Sequence, residues 1–128
     1  MAKIAIEMPE YDEMHAALDA HDFDRYFDMA EAFDKRVREV ASEIFDMASA
    51  HGCVMVDTYG LEVNDDPYTR RRHRHYLHRS TRYPGCLQLT SWDCDGPIGD
   101  VRIPDARTLC GELRHMARGT VWCSYEAA

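Results

Sequence analysis

A chain of 128 residues, 45% hydrophobic and 30% charged, has the make-up of one ordinary folded unit and excludes a disordered or collagen-like polymer. No run of about 18 apolar residues marks a membrane span, and Met1–Glu7, with one lysine and an early glutamate, does not match a secretory leader. The formal net charge of −8 is unevenly spread: residues 1–66 hold 17 acids and 5 bases, whereas residues 67–128 hold 6 acids and 10 bases. Such asymmetry speaks to partners and association rather than to fold.

Lys3 to Met8 alternates polar residues with Ile4, Ile6 and Met8, a short strand that Pro9 ends. Glu10 to Ala20 sets Tyr11, Met14 and Leu18 at helical spacing. Asp22 is placed to cap a longer helix running to about His51, with Gly52 as its stop. Phe23, Ala30, Val37 and Ile44 recur every seven residues in it, and Tyr26, Phe33, Val40 and Met47 recur between them. Phe27, Ala41 and Ala48 widen this 23–47 seam, which predicts a helix packed on its own sheet or, alternatively, a homodimer seam. Glu31 with Lys35 and Asp34 with Arg38 stand at i,i+4 in the favourable order for surface ion pairs.

From Cys53 the period shortens. Cys53 to Val63 reads as a strand bent at Gly60, and Asn64-Asp65-Asp66-Pro67 as a turn. A basic tract follows, closed by Tyr83-Pro84-Gly85. Cys86 to Trp92 and Ile98 to Ile103 form a hairpin around Asp93-Cys94-Asp95-Gly96-Pro97. Pro104-Asp105 opens a helix ending near Gly119, with Leu109, Leu113 and Met116 on one face, and Val121 to Tyr125 is a last strand. The order β-α-α-β-β-β-α-β predicts an α+β fold, with long N-terminal helices on one face of a small, largely antiparallel sheet. It makes residues 1–128 one domain, with an acidic helical half (1–51) and a basic β-rich half (52–128).

Five cysteines, Cys53, Cys86, Cys94, Cys110 and Cys123, form no C-x-x-C pair and sit among apolar neighbours, so reduced, buried thiols in a cytoplasmic protein are expected. His73, His75 and His78 invite a metal reading, and a small metal-dependent enzyme is one alternative. On a strand, however, His78 faces away from the other two, on a helix His73 does, and flanking arginines repel a cation. Asp93-Cys94-Asp95-Gly96 departs from a calcium loop, since glycine comes fourth and Pro104 holds the twelfth position. Asp93, Asp95 and Asp100 could pair as acid and base or hold Mg²⁺, and Ser80 beside His78 could meet a phosphate, but turn chemistry also accounts for these residues. No G-x-S-x-G elbow and no nucleotide-cradling glycine motif occurs, and no cofactor is implied.

Two charged segments remain. Residues 70–82 carry Arg70, Arg71, Arg72, Arg74, Arg79 and Arg82 with no acid, and Tyr68, Tyr76 and Tyr83 are interleaved. Arginine clamps phosphate and tyrosine stacks on unpaired bases, so residues 68–83 suit single-stranded nucleic acid, an acidic protein, or neutralisation within the molecule. Residues 10–31 carry Glu10, Asp12, Glu13, Asp19, Asp22, Asp24, Asp28 and Glu31 against Arg25 alone. On the long helix, Asp22, Asp24, Asp28, Glu31, Glu39, Glu43 and Asp46 avoid the apolar seam, so a rod about 40 Å long presents carboxylates to solvent. Duplex DNA presents one charge per ~1.7 Å of axis, so such a rod can occupy a groove built for phosphates. Plain solubility is the alternative explanation.

The stretch DAHDFDRYFDMAEAFD, in a compact acidic chain without catalytic motifs, resembles the small inhibitors that phages and mobile elements direct against host defence, the anti-CRISPR proteins among them. The resemblance implies stoichiometric, non-catalytic binding to a nucleic-acid-handling partner such as a CRISPR effector complex, in the host cytosol. The expected function is thus a DNA mimic that docks on a basic nucleic-acid-binding surface. Asp19, Asp22, Asp24, Asp28 and Glu31 are the first contact residues, and Arg71, Arg72 and Arg74 the second.

Overall fold

In the computed structural model, residues 2–58, 74–93 and 96–126 are described. The elements in chain order are β1 (Ala2–Glu7), α1 (Pro9–Asp19), α2 (Phe23–His51), β2 (Cys53–Asp57), β3 (Arg74–Arg79), β4 (Leu87–Asp93), β5 (Gly96–Ile103), α3 (Ala106–Met116) and β6 (Thr120–Tyr125). The strands form one sheet in the order β1-β6-β2-β3-β4-β5, and every described pairing is antiparallel. The class is α+β as expected, with one strand more than the sequence pattern predicts. The last strand sits inside the sheet, where β6 pairs β1 on one side and β2 on the other.

The helix boundaries follow from local chemistry. Pro9 starts α1, where its missing N–H leaves no helical bond unmade. At the other end the Asp22 N–H donates to Ala17 O at 2.9 Å and the His21 N–H to Leu18 O at 3.1 Å. These two bonds close the helix with His21 in the left-handed region, at φ 56°. The Asp22 carboxylate then accepts from the Arg25 N–H at 3.2 Å and caps α2. Gly52, at φ 86°, ends α2 and donates to Ala48 O. Asp105 caps α3 by accepting from both the N–H and the hydroxyl of Thr108 at 2.8 Å.

The core lies between the helices and one face of the sheet. Val37, Val40, Ala41, Ile44 and Ala48 of α2 and Leu109 and Leu113 of α3 are buried there with Val54, Val56, Leu77, Leu89, Ile103, Val121 and Cys123 from the strands. Each full-sized aliphatic side chain removed from water in this way contributes roughly 1.5–3 kcal/mol. Cys123, between α2 and the sheet, has its thiol pushed up to about 12 by burial, with the Glu43 charge adding to the effect. It therefore stays protonated and unreactive.

Four expectations need correction. Residues 74–79, part of the basic tract to which the sequence pattern assigns no element, form β3 near the middle of the sheet. Arg74, Tyr76 and His78 point to the face away from the helices, while His75 and Leu77 point into the core, a period-two pattern masked by the polar His75 on the inward face. The 23–47 seam does not run as one stripe. From Phe33 onward it is buried against the protein's own sheet, but no residue from Phe23 to Ala32 is buried. Neither the Glu31–Lys35 nor the Asp34–Arg38 pair forms among the described residues, and Asp34 pairs with Arg114 of α3 instead. Finally, only Cys110 and Cys123 of the described cysteines are buried. Cys53 is exposed on the sheet face away from the helices, Cys86 is half-buried, and all four are unpaired thiols. Among the described residues no helix is long and apolar enough to cross a membrane.

Candidate interaction surface

The heptad pattern of α2 outlasts the sheet beneath it. A helix of 29 residues is about 43 Å long at 1.5 Å per residue, and none of its first ten residues is buried. Side chains that would be core residues further along are bare here. Phe23 is 52% exposed, Phe27 67% and Leu18, in the last turn of α1, 40%. The Phe27 ring meets Tyr26 edge-on at 5.5 Å, and the Phe23 ring meets His21 edge-on at 6.0 Å. Large exposed aromatic groups gathered at one end of a molecule mark binding surfaces more often than isolated exposed residues do.

Carboxylates surround these rings. Asp19 ends α1, Asp22 caps α2, and Asp24, Asp28 and Glu31 follow on its first three turns, all exposed. Among the described residues none of the five is in an ion pair. Arg25, the only cation within residues 10–31, lies 3.9 Å from Glu13 across the helical hairpin, with both side chains about half exposed. The acids expected as first contacts are thus brought together at the hairpin end. Exposed phenylalanines among them went unnoticed in the sequence because Phe23 and Phe27 fit the apolar period as well as buried residues do.

The second expected group is only partly placed. Arg71 and Arg72 lie outside the described residues, as do Arg70, Tyr68 and His73. Arg74 opens β3, exposed, across the ladder from Trp92, which is 41% exposed. Tyr76 follows on the same face. Further along, Arg79 donates to Ser49 O at 3.3 Å, and the Arg82 guanidinium sits 5.4 Å from the Tyr83 ring centre.

The histidines do not converge. His75 is 9% exposed on the core side, where its Nδ1 lies 2.8 Å from Ser91 Oγ. His78 is on the opposite face, with Nδ1 2.9 Å from the Arg79 carbonyl oxygen and Nε2 2.8 Å from Thr90 Oγ1. A carbonyl can only accept, so Nδ1 donates there. Among the described residues no three His, Cys, Asp or Glu side chains form a group able to hold a metal.

Asp100 and Ser80 belong to a hydrogen-bonded row across β3, β4 and β5. Thr90 Oγ1 donates to Asp100 Oδ1 at 2.7 Å, Gln88 Nε2 donates to the same oxygen at 2.6 Å, and Ser80 Oγ donates to Gln88 Oε1 at 2.8 Å. The bonds from Thr90 and Gln88 hold the Asp100 carboxyl below the usual carboxylate range. Ser80 Oγ also accepts the N–H groups of Arg82 and Tyr83, which makes it a turn residue. The Asp93 side chain, Cys94 and Asp95 lie outside the described residues.

No family model, curated protein or solved structure matches the chain.

Proposed function

We propose that this protein is a non-enzymatic binding protein that docks the acidic end of its α1–α2 hairpin on a basic, nucleic-acid-binding surface of a partner, as the resemblance to anti-CRISPR-type inhibitors implies. The observation that carries the reading is the set of exposed carboxylates of Asp19, Asp22, Asp24, Asp28 and Glu31, free of ion pairs among the described residues, around the bare rings of Phe23 and Phe27. The carboxylates supply long-range attraction, and the rings supply apolar area that a phosphate backbone lacks. Docking of this kind is fast and weakens as salt rises.

The test is affinity capture from host cells at two ionic strengths, with duplex DNA as competitor. A partner lost at high salt and displaced by DNA is the expected result. The triple variant Asp24→Lys/Asp28→Lys/Glu31→Lys leaves the Asp22 cap intact and should lose that partner while melting like the parent. Unchanged capture by this variant would refute the reading.

A second reading rests on a different observation: Arg74, Trp92 and Tyr76 share the sheet face away from the helices, an aromatic platform with a cation beside it. That arrangement suits stacking of single-stranded bases. Titration with labelled single strands tests it, and the absence of binding at low salt, or binding without a salt slope, eliminates it.

A further inference from the structure

Away from the acidic end, α2 and α3 lie side by side and flank an open cleft of about 520 Å³ whose arginines are exposed. Its lining includes Arg38 and Ser42, one turn apart on α2, and Arg107, Cys110, Gly111 and Arg114 along α3. In a chain of net charge −8, three guanidinium groups around one opening form a local reversal of sign. Arg38 and Arg107 make no ion pair among the described residues, although the Arg107 charge reaches the Asp105 carboxyl and helps to lower it. Arg114 contacts Asp34 through Nε at 3.3 Å, and a guanidinium has five donors, so it keeps others for a further acceptor. The Asp105 carboxylate already accepts twice from Thr108.

Gly111 is the second observation. Glycine is the least favourable residue after proline inside a helix, and Gly111 sits in the middle of α3. Its φ is not positive, so the backbone does not require glycine. A Cβ built there would meet no atom within 4 Å, so packing within the chain does not require it either. The missing side chain leaves the α3 side of the arginine-lined cleft open.

We propose that the α2–α3 cleft binds a small ligand through a phosphate or diphosphate group. Guanidinium groups grip phosphate oxygens through paired N–H donors, and Ser42 adds a hydroxyl. The cleft volume falls within the roughly 300–1,000 Å³ typical of small-molecule sites. With three arginines beside the carboxylates of Asp34 and Asp105, the site keeps an excess of positive charge that favours an anionic ligand. The proposal is independent of the acidic hairpin end and adds a second binding activity to the protein.

Calorimetric titration of the full chain at low salt, with ADP, inorganic pyrophosphate and uncharged adenosine, tests it. Saturable binding of ADP and of pyrophosphate, and none of adenosine, is expected. Arg38→Ala and Arg107→Ala should each weaken ADP binding about tenfold or more, since each removes a charge-assisted contact. Arg82→Ala, outside the cleft, should leave it unchanged. Gly111→Leu should abolish binding without lowering the melting temperature, because leucine favours the helix and fills only open space. Failure of both phosphate probes to saturate by millimolar concentration would overturn the proposal. So would ADP binding that survives the two arginine variants or Gly111→Leu. Tighter binding of a short single-stranded oligonucleotide than of ADP, through the same arginines, would also overturn it, by making the cleft a nucleic-acid site.

Discussion

Asp34 Oδ1 lies 3.3 Å from Arg114 Nε, an ion pair that ties α2 to α3 across the top of the core. Asp34 thereby forgoes Arg38, one turn along its own helix. Both partners are close to half exposed, with side-chain accessibilities of 44% and 46%. Solvent screens such pairs, so a double-mutant cycle with Asp34→Ala and Arg114→Ala should give a coupling of about 0.2–1 kcal/mol, smaller at high salt. A coupling above about 2 kcal/mol would mean that the bridge, rather than the apolar seam, docks α3.

His21 carries backbone strain. It occupies the left-handed region at φ 56° to close α1, a conformation that glycine adopts without cost to its side chain. His21→Gly should therefore stabilise the protein by about 1 kcal/mol, and His21→Val should destabilise it by at least as much. Thermal melts of the two variants should move in opposite directions. A fall in melting temperature for His21→Gly would show that the edge-on contact of His21 with the Phe23 ring outweighs the strain.

The cap of α3 predicts a pH dependence. The backbone and side-chain hydrogen bonds from Thr108 hold the Asp105 carboxyl below its ordinary value of 3.8, and Asp100 shifts in the same direction through Thr90 and Gln88. A carboxyl lowered by folding contributes stability above its unfolded pKa, and that contribution is lost as pH falls through the folded value. Asp105→Asn keeps an accepting oxygen but loses the charge. The parent should melt higher than this variant at neutral pH, with the gap closing below about pH 3.8. A gap that is constant across the acid range would show that the charge contributes nothing.

Features written in neighbouring residues were legible in the sequence. Asp22 and Gly52 bracket α2, Asp105 opens α3, and Leu109 and Leu113 mark its inward face; the structure uses all of them in these roles. What depended on distant partners was not legible. β3 has Leu77 as its only aliphatic residue and is stabilised by ladders to β2 and β4, which its own composition does not announce. Arg114 takes Asp34 from Arg38 because the tertiary fold brings α3 against α2. The acidic residues of the hairpin end were legible as a cluster, whereas the bareness of Phe23 and Phe27 was not, since a heptad pattern does not record where the sheet beneath it stops. The arginines of the cleft come from opposite halves of the sequence and meet only in the folded chain.

The same helix therefore holds two kinds of apolar residue, and substitution should separate them. Ile44 is fully buried between α2 and the sheet. Ile44→Ala removes buried methylenes and leaves a cavity, and should cost about 2–5 kcal/mol in chemical denaturation. Phe27 is 67% exposed, so Phe27→Ala should change stability by no more than about 0.5 kcal/mol, and Phe23→Ala by little more. The effect on docking should be reversed. Loss of either ring should weaken capture of the partner even at low salt, where the carboxylates still attract it, because the rings offer most of the exposed apolar area at this end. Retention of full affinity by a Phe23→Ala/Phe27→Ala protein would assign the docking to charge alone. A large stability loss in that protein would mean instead that the rings are structural and that the hairpin end is no more than the start of the core.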